Sequence, residues 1–348
     1  MHITYPQAPC RHPANPARWL RSLTLSLIVC AMSVIGASGV QALTLDAAQV
    51  AGFIDFMAEK HGFDKAELAA IFNRAKGHEK IIEAMTRPAE GKQWFEYRPI
   101  FITDKRIDGG VQFLREHEEL LHRAEQQYGV PAEIIVAIIG VETFYGRVTG
   151  SYPVLEAVST LAFHYPKRAA FFRGELEQFL LLAREEHVDP LSLTGSYAGA
   201  MGMPQFISSS YRHYAVDFDG DGKRNIWNDV DDVVGSVANY LSENGWRRGQ
   251  GVVIAARNGR DTDVLDKWAG AGVRPSVAVT EVKATGVVDT AALSDVDKVS
   301  VIRLQQKLAP EYWLGLNNFY VITRYNTSPL YAMAVYQLAE QIRAKAAL

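Results

Sequence analysis

A glutamate carried by an apolar helix is the first residue of this sequence that could do chemistry. Glu142 lies near the end of the stretch from Pro131 to Tyr145, in which Ile134, Ile135, Val136, Ile138, Ile139 and Val141 cover every face of a helix. Burial and the negative end of the helix dipole both favour the protonated carboxyl. A carboxyl that keeps its proton near neutral pH is a general acid, the group that protonates a leaving glycosidic oxygen. The alternative is a structural carboxylate paired with Arg147 or a more distant arginine, because buried ion pairs also perturb pKa values.

Two further segments could bind ligands. In the run from Thr194 to Phe206, Gly195, Ala198, Gly199, Ala200 and Gly202 would let backbone approach a ligand closely, and Ser196, Gln205, Tyr197 and Phe206 offer hydrogen bonds and stacking faces. Small residues serve tight packing equally well. In the run from Asp217 to Asn225, acids at loop positions 1, 3 and 5 (Asp217, Asp219, Asp221) and Gly222 at position 6 reproduce the first half of an EF-hand calcium loop. Position 12 is Asn228 rather than glutamate, so the closing carboxylate has to come from Asp231 or Asp229; a solvated acidic turn without metal is the other reading.

Other chemistries lack their residues. There is no H-E-x-x-H, G-x-S-x-G or G-x-x-x-x-G-K-[ST] motif, no strand-bound G-x-G-x-x-G, and no ligand-spaced cluster among the nine histidines. A formal net charge of -3 supplies no basic excess for a phosphate backbone, so the sequence does not read as a nucleic-acid binder.

The elements that must position these residues are mostly helical. Amphipathic pieces run from Leu45 to Met85, with Asp64 placed to cap a helix and Gly62 and Gly77 as breaks. A loop holds Pro88, Gly91 and the aromatic cluster Trp94, Phe95 and Tyr97. One helix is then expected from about Thr103 to Tyr128, with Leu114, His117, Leu121, Ala124 and Tyr128 on its buried stripe and Gly129 as its stop. After Pro131 to Tyr145, further helices fit Val154 to Phe163, Lys167 to His187, Gln205 to Ala215 and Val230 to Asn244. Residues 250 to 315 turn rich in Val, Thr, Gly and Ala, with β-favouring runs at Val279 to Val282, Val299 to Leu304 and Tyr312 to Leu316 and one short helix near Val264 to Ala271. Helix returns at Ser328 to Lys345.

The front of the chain reads as an export signal. Arg11, Arg18 and Arg21 precede an apolar stretch from Leu23 to about Ile35, and Val40-Gln41-Ala42 offers a cleavage site after Ala42. Removing residues 1 to 42 takes both cysteines, Cys10 and Cys30, and shifts the formal charge from -3 to -6. A retained anchor and a lipid-modified Cys30 are the alternatives; Val29 before the cysteine, and its place inside the apolar run, speak against the lipid.

Taken in order, Val141-Glu142-Thr143-Phe144-Tyr145-Gly146, Gly195-Ser196, Gln205 through Tyr211, Asp217 through Gly222, Asn318 through Asn326 and Tyr331 through Val335 resemble the membrane-bound lytic murein transglycosylase B family. The resemblance covers residues 90 to 250 and 312 to 338 well and the β-rich part weakly. It implies a mainly α (α+β) fold: a lysozyme-like helical core (131–249) carrying the EF-hand-like loop, a flanking helical domain (43–130) completed by the last helix (328–348), a small β insertion (250–315) and a groove-lining return segment (316–327). The implied activity is cleavage of the β-1,4 bond between N-acetylmuramic acid and N-acetylglucosamine in peptidoglycan, leaving a 1,6-anhydro end, with Glu142 as the single acid and base and no organic cofactor. Ser196 and Asn326 match positions near the substrate's acetamido group. Gln205, Tyr97, Tyr240, Tyr325 and Tyr331 would line the sugar groove, with Arg168 toward the peptide side. The implied calcium ligands are Asp217, Asp219, Asp221, the carbonyl of Lys223, and Asp231. Implied partners are peptidoglycan glycan strands and cell-wall synthesis complexes, and the location is the periplasm, ahead of a lipid-anchored outer-membrane form. A hydrolytic muramidase and a non-catalytic peptidoglycan-binding scaffold are the competing functions.

Overall fold

The computed structural model describes residues 42–86, 91–256, 262–286 and 298–348. The export signal, apart from Ala42, lies outside the described residues with both cysteines, and so does Pro88. Short strands β1 (Ala42–Leu43) and β2 (Gly77–His78) pair antiparallel around α1 (Ala47–His61) and α2 (Lys65–Arg74). Asp64 caps α2 as expected, accepting from the Glu67 amide at 2.8 Å and so satisfying a first-turn donor that has no partner inside the helix. After α3 (Glu79–Thr86), the aromatic cluster expected in a loop forms α4 (Trp94–Phe101). There the Glu96 side chain accepts from the Gln93 amide at 2.9 Å, closing the first turn, and Trp94, Tyr97 and Phe101 share the buried face.

The single helix expected over 103–128 is broken into α5 (Asp104–Glu116) and α6 (Glu118–Tyr128) at His117, whose ψ of 29° leaves the helical region. The break redirects the apolar stripe: Ile107, Val111 and Phe113 are buried on α5, and Leu120, Leu121 and Ala124 on α6. The central helix, α7 (Ala132–Thr143), is buried from Ile134 to Thr143. Each fully buried Ile or Val in it contributes roughly 1.5–3 kcal/mol, and that burial is what isolates Glu142 among them.

Strand β3 (Tyr152–Pro153) leads into α8 (Val154–His164), followed by α9 (Ala169–Glu185) and β4 (Thr194–Gly195), which pairs with β3. The helix expected from Gln205 begins only at α10 (Ser208–Tyr214), because Phe206 is held in a bridge to Met201. The helix α11 (Val230–Glu243) follows the acidic loop.

The β-rich part contains β5 (Val253–Ala255), α12 (Thr262–Ala269), β6 (Val277–Ala278), α13 (Val279–Ala284), β7 (Lys298–Gln305) and β8 (Pro310–Gly315), with an antiparallel sheet in the order β5-β8-β7-β6. Val279 to Val282, expected as strand, is helix. The Glu281 side chain accepts from the Ala278 amide at 3.1 Å, and this first-turn bond overrides the local β preference. Strand β7 is buried on both faces: Ile302 and Leu304 join the main helical core, while Val299 and Val301 join a second cluster with Leu265, Val282 and Leu314.

The return segment is itself helical, α14 (Asn317–Tyr325), and leads to α15 (Pro329–Ala346), capped by the Ser328 hydroxyl. α15 packs on α4, α5, α7 and α14. The last helix of the chain therefore supplies one wall of the place where Glu142 sits.

Candidate active site

Glu142 is 4% exposed, and among the described residues it has one hydrogen-bond partner: the Tyr331 hydroxyl donates to Oε1 at 2.6 Å. No cation of the described residues pairs with it; the Arg147 guanidinium lies instead over the Phe144 ring, 5.1 Å from its centroid. The paired-carboxylate alternative thus has no partner. Burial, the larger influence, pushes the carboxyl up to about 8, while the bond from Tyr331 favours the anion and pulls the other way. The group holds its proton at neutral pH and has a hydroxyl in place to steady the anion once the proton has left.

Three elements bring tyrosines to this carboxyl: Tyr97 on α4, Tyr325 at the end of α14 and Tyr331 on α15. Burial first, and the Glu142 charge second, raise all three phenols, so they remain donors. The Tyr325 hydroxyl donates to the Pro204 carbonyl at 2.6 Å, and the Tyr240 hydroxyl to the Arg324 carbonyl at 2.5 Å. The rings of Tyr240 and Tyr325 are 4.7 Å apart, and both rest on Phe206 at 5.6 and 5.8 Å. Residues scattered from 97 to 331 in sequence thus meet in one wall.

The 194–206 segment folds back on itself. The Ser196 amide donates to the Ala200 carbonyl at 2.8 Å, and the Ala200 amide donates to Ser196 Oγ at 3.0 Å. The glycines here are required by the protein's own packing. Gly199 and Gly202 have φ of 79° and 66°, and a Cβ on them would meet Val158 at 2.3 Å and the Ile226 carbonyl oxygen at 2.4 Å. The packing alternative therefore accounts for the small residues. The Ser196 hydroxyl proton has no acceptor among the described residues. Asn326 uses Oδ1 to accept from the Ser328 amide at 3.1 Å, and its Nδ2 has no acceptor among them. Gln205, at φ 52°, donates from Nε2 to the Thr149 and Gly202 carbonyls, both at 3.0 Å.

Arg168 stands apart from this group. Its guanidinium lies 4.3 and 5.2 Å from the Phe171 and Phe172 rings, and its Nε is buried without a partner among the described residues.

Two features escaped the sequence reading. Thr143 Oγ1 donates to the Met203 carbonyl at 2.9 Å and accepts from the Gly146 amide at 3.0 Å, tying the end of α7 to the 194–206 segment. Phe144 and Tyr145, directly after it, both sit at positive φ, 53° and 61°, which costs side-chain-bearing residues roughly 1–2 kcal/mol each. Neither has a sequence signal beyond the helix stopping without a glycine. The other buried glutamate, Glu175, accepts from the Ser209 amide and hydroxyl at 3.0 and 2.7 Å, joining α9 to α10, and does not appear among the groups acting on Glu142.

In the acidic loop, Asp217, Asp219 and Asp221 each offer an oxygen within 4.8 Å of the others. A hard cation prefers such converging carboxylates, so this donor set fits calcium. Lys223 donates its amide to Asp221 Oδ1 at 2.8 Å, which places its backbone in the same turn. Asp231 is not in this cluster: it pairs with Arg123 of α6 at 2.6 Å. Asp229 acts electrostatically on Asp219 and caps α11. The unforeseen residue is Asp232, 1% exposed, which accepts from the Phe218 and Asn225 amides at 2.8 and 2.6 Å and fastens the loop to α11.

One buried acid walled by tyrosines, with the Ser196 hydroxyl and the Asn326 amide as unused donors on a mainly helical body, defines a glycan-cleaving enzyme of lysozyme-like fold. The chain matches the transglycosylase SLT domain family over residues 46–340 and belongs to it. It is 45% identical over 300 residues to membrane-bound lytic murein transglycosylase B of Escherichia coli K12, covering 83% of this chain and 81% of that one. The crystal structure of soluble lytic transglycosylase SltB1 from Pseudomonas aeruginosa matches with a TM-score of 0.80 at 55% identity, covering 85% of this chain and 99% of that one. The Escherichia coli lytic transglycosylase Slt35 in complex with calcium matches with a TM-score of 0.77 at 45% identity, over 85% and 93% of the two chains.

Proposed function

We propose that this chain is a lytic transglycosylase that cleaves the β-1,4 bond between N-acetylmuramic acid and N-acetylglucosamine of peptidoglycan and leaves 1,6-anhydromuramyl ends. The observation that carries this reading is the solitary buried carboxyl of Glu142, protonated at neutral pH and acted on by no second carboxylate. Ordinary glycosidases divide the work between two carboxyl groups. Here Glu142 gives its proton to the glycosidic oxygen as the C1–O bond breaks, and the muramyl acetamido oxygen stabilises the positive C1. The Glu142 anion, held by the Tyr331 hydroxyl, then takes the proton of the muramyl 6-hydroxyl as O6 bonds to C1. The proton count closes without water, and the carboxyl returns to its starting state. Ser196 and Asn326 donate to the acetamido group, Gln205, Tyr97, Tyr240, Tyr325 and Tyr331 shape the groove, and Arg168 faces the peptide side.

Asp217, Asp219, Asp221 and the Lys223 carbonyl would hold calcium, which would neutralise the charge of the loop; Asp229, which acts electrostatically on Asp219 while Asp231 is paired with Arg123, would be the closing carboxylate. No helix of the described residues is long and apolar enough to cross a membrane. Export by the N-terminal signal places the enzyme in the periplasm, beside glycan strands and the complexes that build them. Mass spectrometry of products from purified sacculi tests the reaction. Anhydro ends, lighter than reducing ends by one water, are expected; reducing ends alone would make the chain a muramidase, and an active Glu142→Gln protein would remove the acid from its role.

A further inference from the structure

The chain leaves Glu142 through a turn in which three successive residues, Phe144, Tyr145 and Gly146, have positive φ, and only the third is a glycine. Phe144 and Tyr145 are both left-handed, and such a pair persists only where its surroundings hold it. What holds it is the Tyr145 ring. A Cβ on Gly140 of α7 or on Gly110 of α5 would stand 2.6 Å from the Tyr145 hydroxyl oxygen, and one on Gly109 would stand 2.9 Å from a ring carbon. Backbone of two helices thus encloses the ring on several sides. Its hydroxyl donates to the Arg106 carbonyl at 2.6 Å, and Arg106 answers by donating from Nε to the Gly140 carbonyl at 3.0 Å. The same guanidinium lies 5.0 Å from the Phe144 ring and 5.3 Å from the Phe101 ring. The turn is joined to the 194–206 segment through Thr143 and Met203.

Resting on the lytic reaction proposed above, we propose that Tyr145, locked between α5 and α7 with Arg106 as its counterpart, is a positioning residue that fixes the depth of the Glu142 carboxyl at the reacting bond. Tyr145 touches no substrate. It works by leaving the end of α7 one place to be, so that the acid meets both the Tyr331 hydroxyl and the glycosidic oxygen without searching.

The groups facing Glu142 are Tyr97 from α4, Tyr325 from α14 and Tyr331 from α15, and none of them changes in the variants that test this. Tyr145→Phe keeps the ring and deletes the bond to Arg106; Gly140→Ala keeps the tyrosine and pushes the ring. Two readouts are taken: kcat and KM on soluble glycan chains, and the titration midpoint of the Glu142 carboxyl by carbon NMR of glutamate-labelled protein, assigned with Glu142→Gln. The expected result is a kcat lowered on the order of tenfold or more with KM unchanged, and a Glu142 midpoint moved down, because a loosened helix end admits water to a carboxyl whose shift comes chiefly from burial. A merely structural residue would lower the melting temperature and leave the midpoint where it is in the wild type, and that result overturns the proposal. If Gly140→Ala does not fold, Tyr145→Phe alone decides. The titration needs no turnover, so absence of anhydro product from the wild type would count against the lytic reaction and leave the positioning role to be judged separately.

Discussion

Keeping a proton on Glu142 costs the folded protein stability, and the sign of the cost follows from its surroundings. On unfolding, the carboxyl returns to an ordinary value near 4.5, whereas in the fold it stays protonated to about 8. Between those values the unfolded state releases a proton that the folded state keeps, so stability is full below pH 4.5 and falls as pH rises toward 8, by about 1.4 kcal/mol per unit. Glu142→Gln cannot ionise and still offers an oxygen to the Tyr331 hydroxyl. It is expected to bind glycan without turning it over, and to exceed the wild type in stability by roughly 3 kcal/mol at pH 7 and by little at pH 4. Thermal melts at the two pH values check this, and an equal gap at both would mean that burial does not set the carboxyl. Tyr331→Phe tests the opposing influence. Losing a donor that favours the anion raises the Glu142 value, so the alkaline limb of kcat/KM should move to higher pH while the maximum falls. A limb that stays in place would show that Tyr331 does not act on the carboxyl.

At the scale of elements, what could be read in the sequence was whatever local pattern determines. The apolar run at Ile134 to Val141 is fully inside and Asp64 caps α2, because hydrophobic coverage and capping are decided within a few residues. What differed was decided mostly by distant partners: Tyr331 meets Glu142 from 189 residues away, and the α5–α6 break at His117 serves two sets of neighbours; the exception is Val279 to Val282, where a local first-turn bond outweighs the β preference. The acidic loop shows both cases. Its first half was legible from spacing, while its closing side depends on how α11 is rotated, which puts Asp231 against Arg123 and Asp232 beneath the loop. Calcium removal should therefore lower the melting temperature of the wild type, since an ion bound by the folded state alone contributes about 2.7 kcal/mol at a hundredfold excess over Kd. Calorimetry with and without chelator is expected to show the response abolished in Asp217→Asn and retained in Asp231→Asn. Loss of the response in Asp231→Asn would return that residue to the ligand set.

Across the whole molecule, the order of the chain and the order of packing are unrelated, and this decides how damage should spread. The last helix, α15, is a wall of the site and touches α4, α5, α7 and α14, so Leu338, which is fully buried there, belongs to the same core as the acid-bearing helix. The sheet is built differently. Ile302 and Leu304 on one face of β7 are committed to that main core, while Leu314 and its neighbours fill a separate cluster under α12 and α13. A cavity at either leucine costs about 2–5 kcal/mol, but the two should be felt in different places. Leu338→Ala is expected to lower the main unfolding transition and weaken amide protection throughout α4, α5, α7 and α15. Leu314→Ala is expected to open β5 to β8 with α12 and α13 below the global transition, leaving protection at α7 unchanged, because no residue of the outer cluster reaches the acid. Hydrogen exchange read amide by amide separates these outcomes. Equal loss of protection at α7 in both variants would mean that the β-rich part and the helical body unfold as one cooperative unit, with the sheet a structural support of the site in its own right.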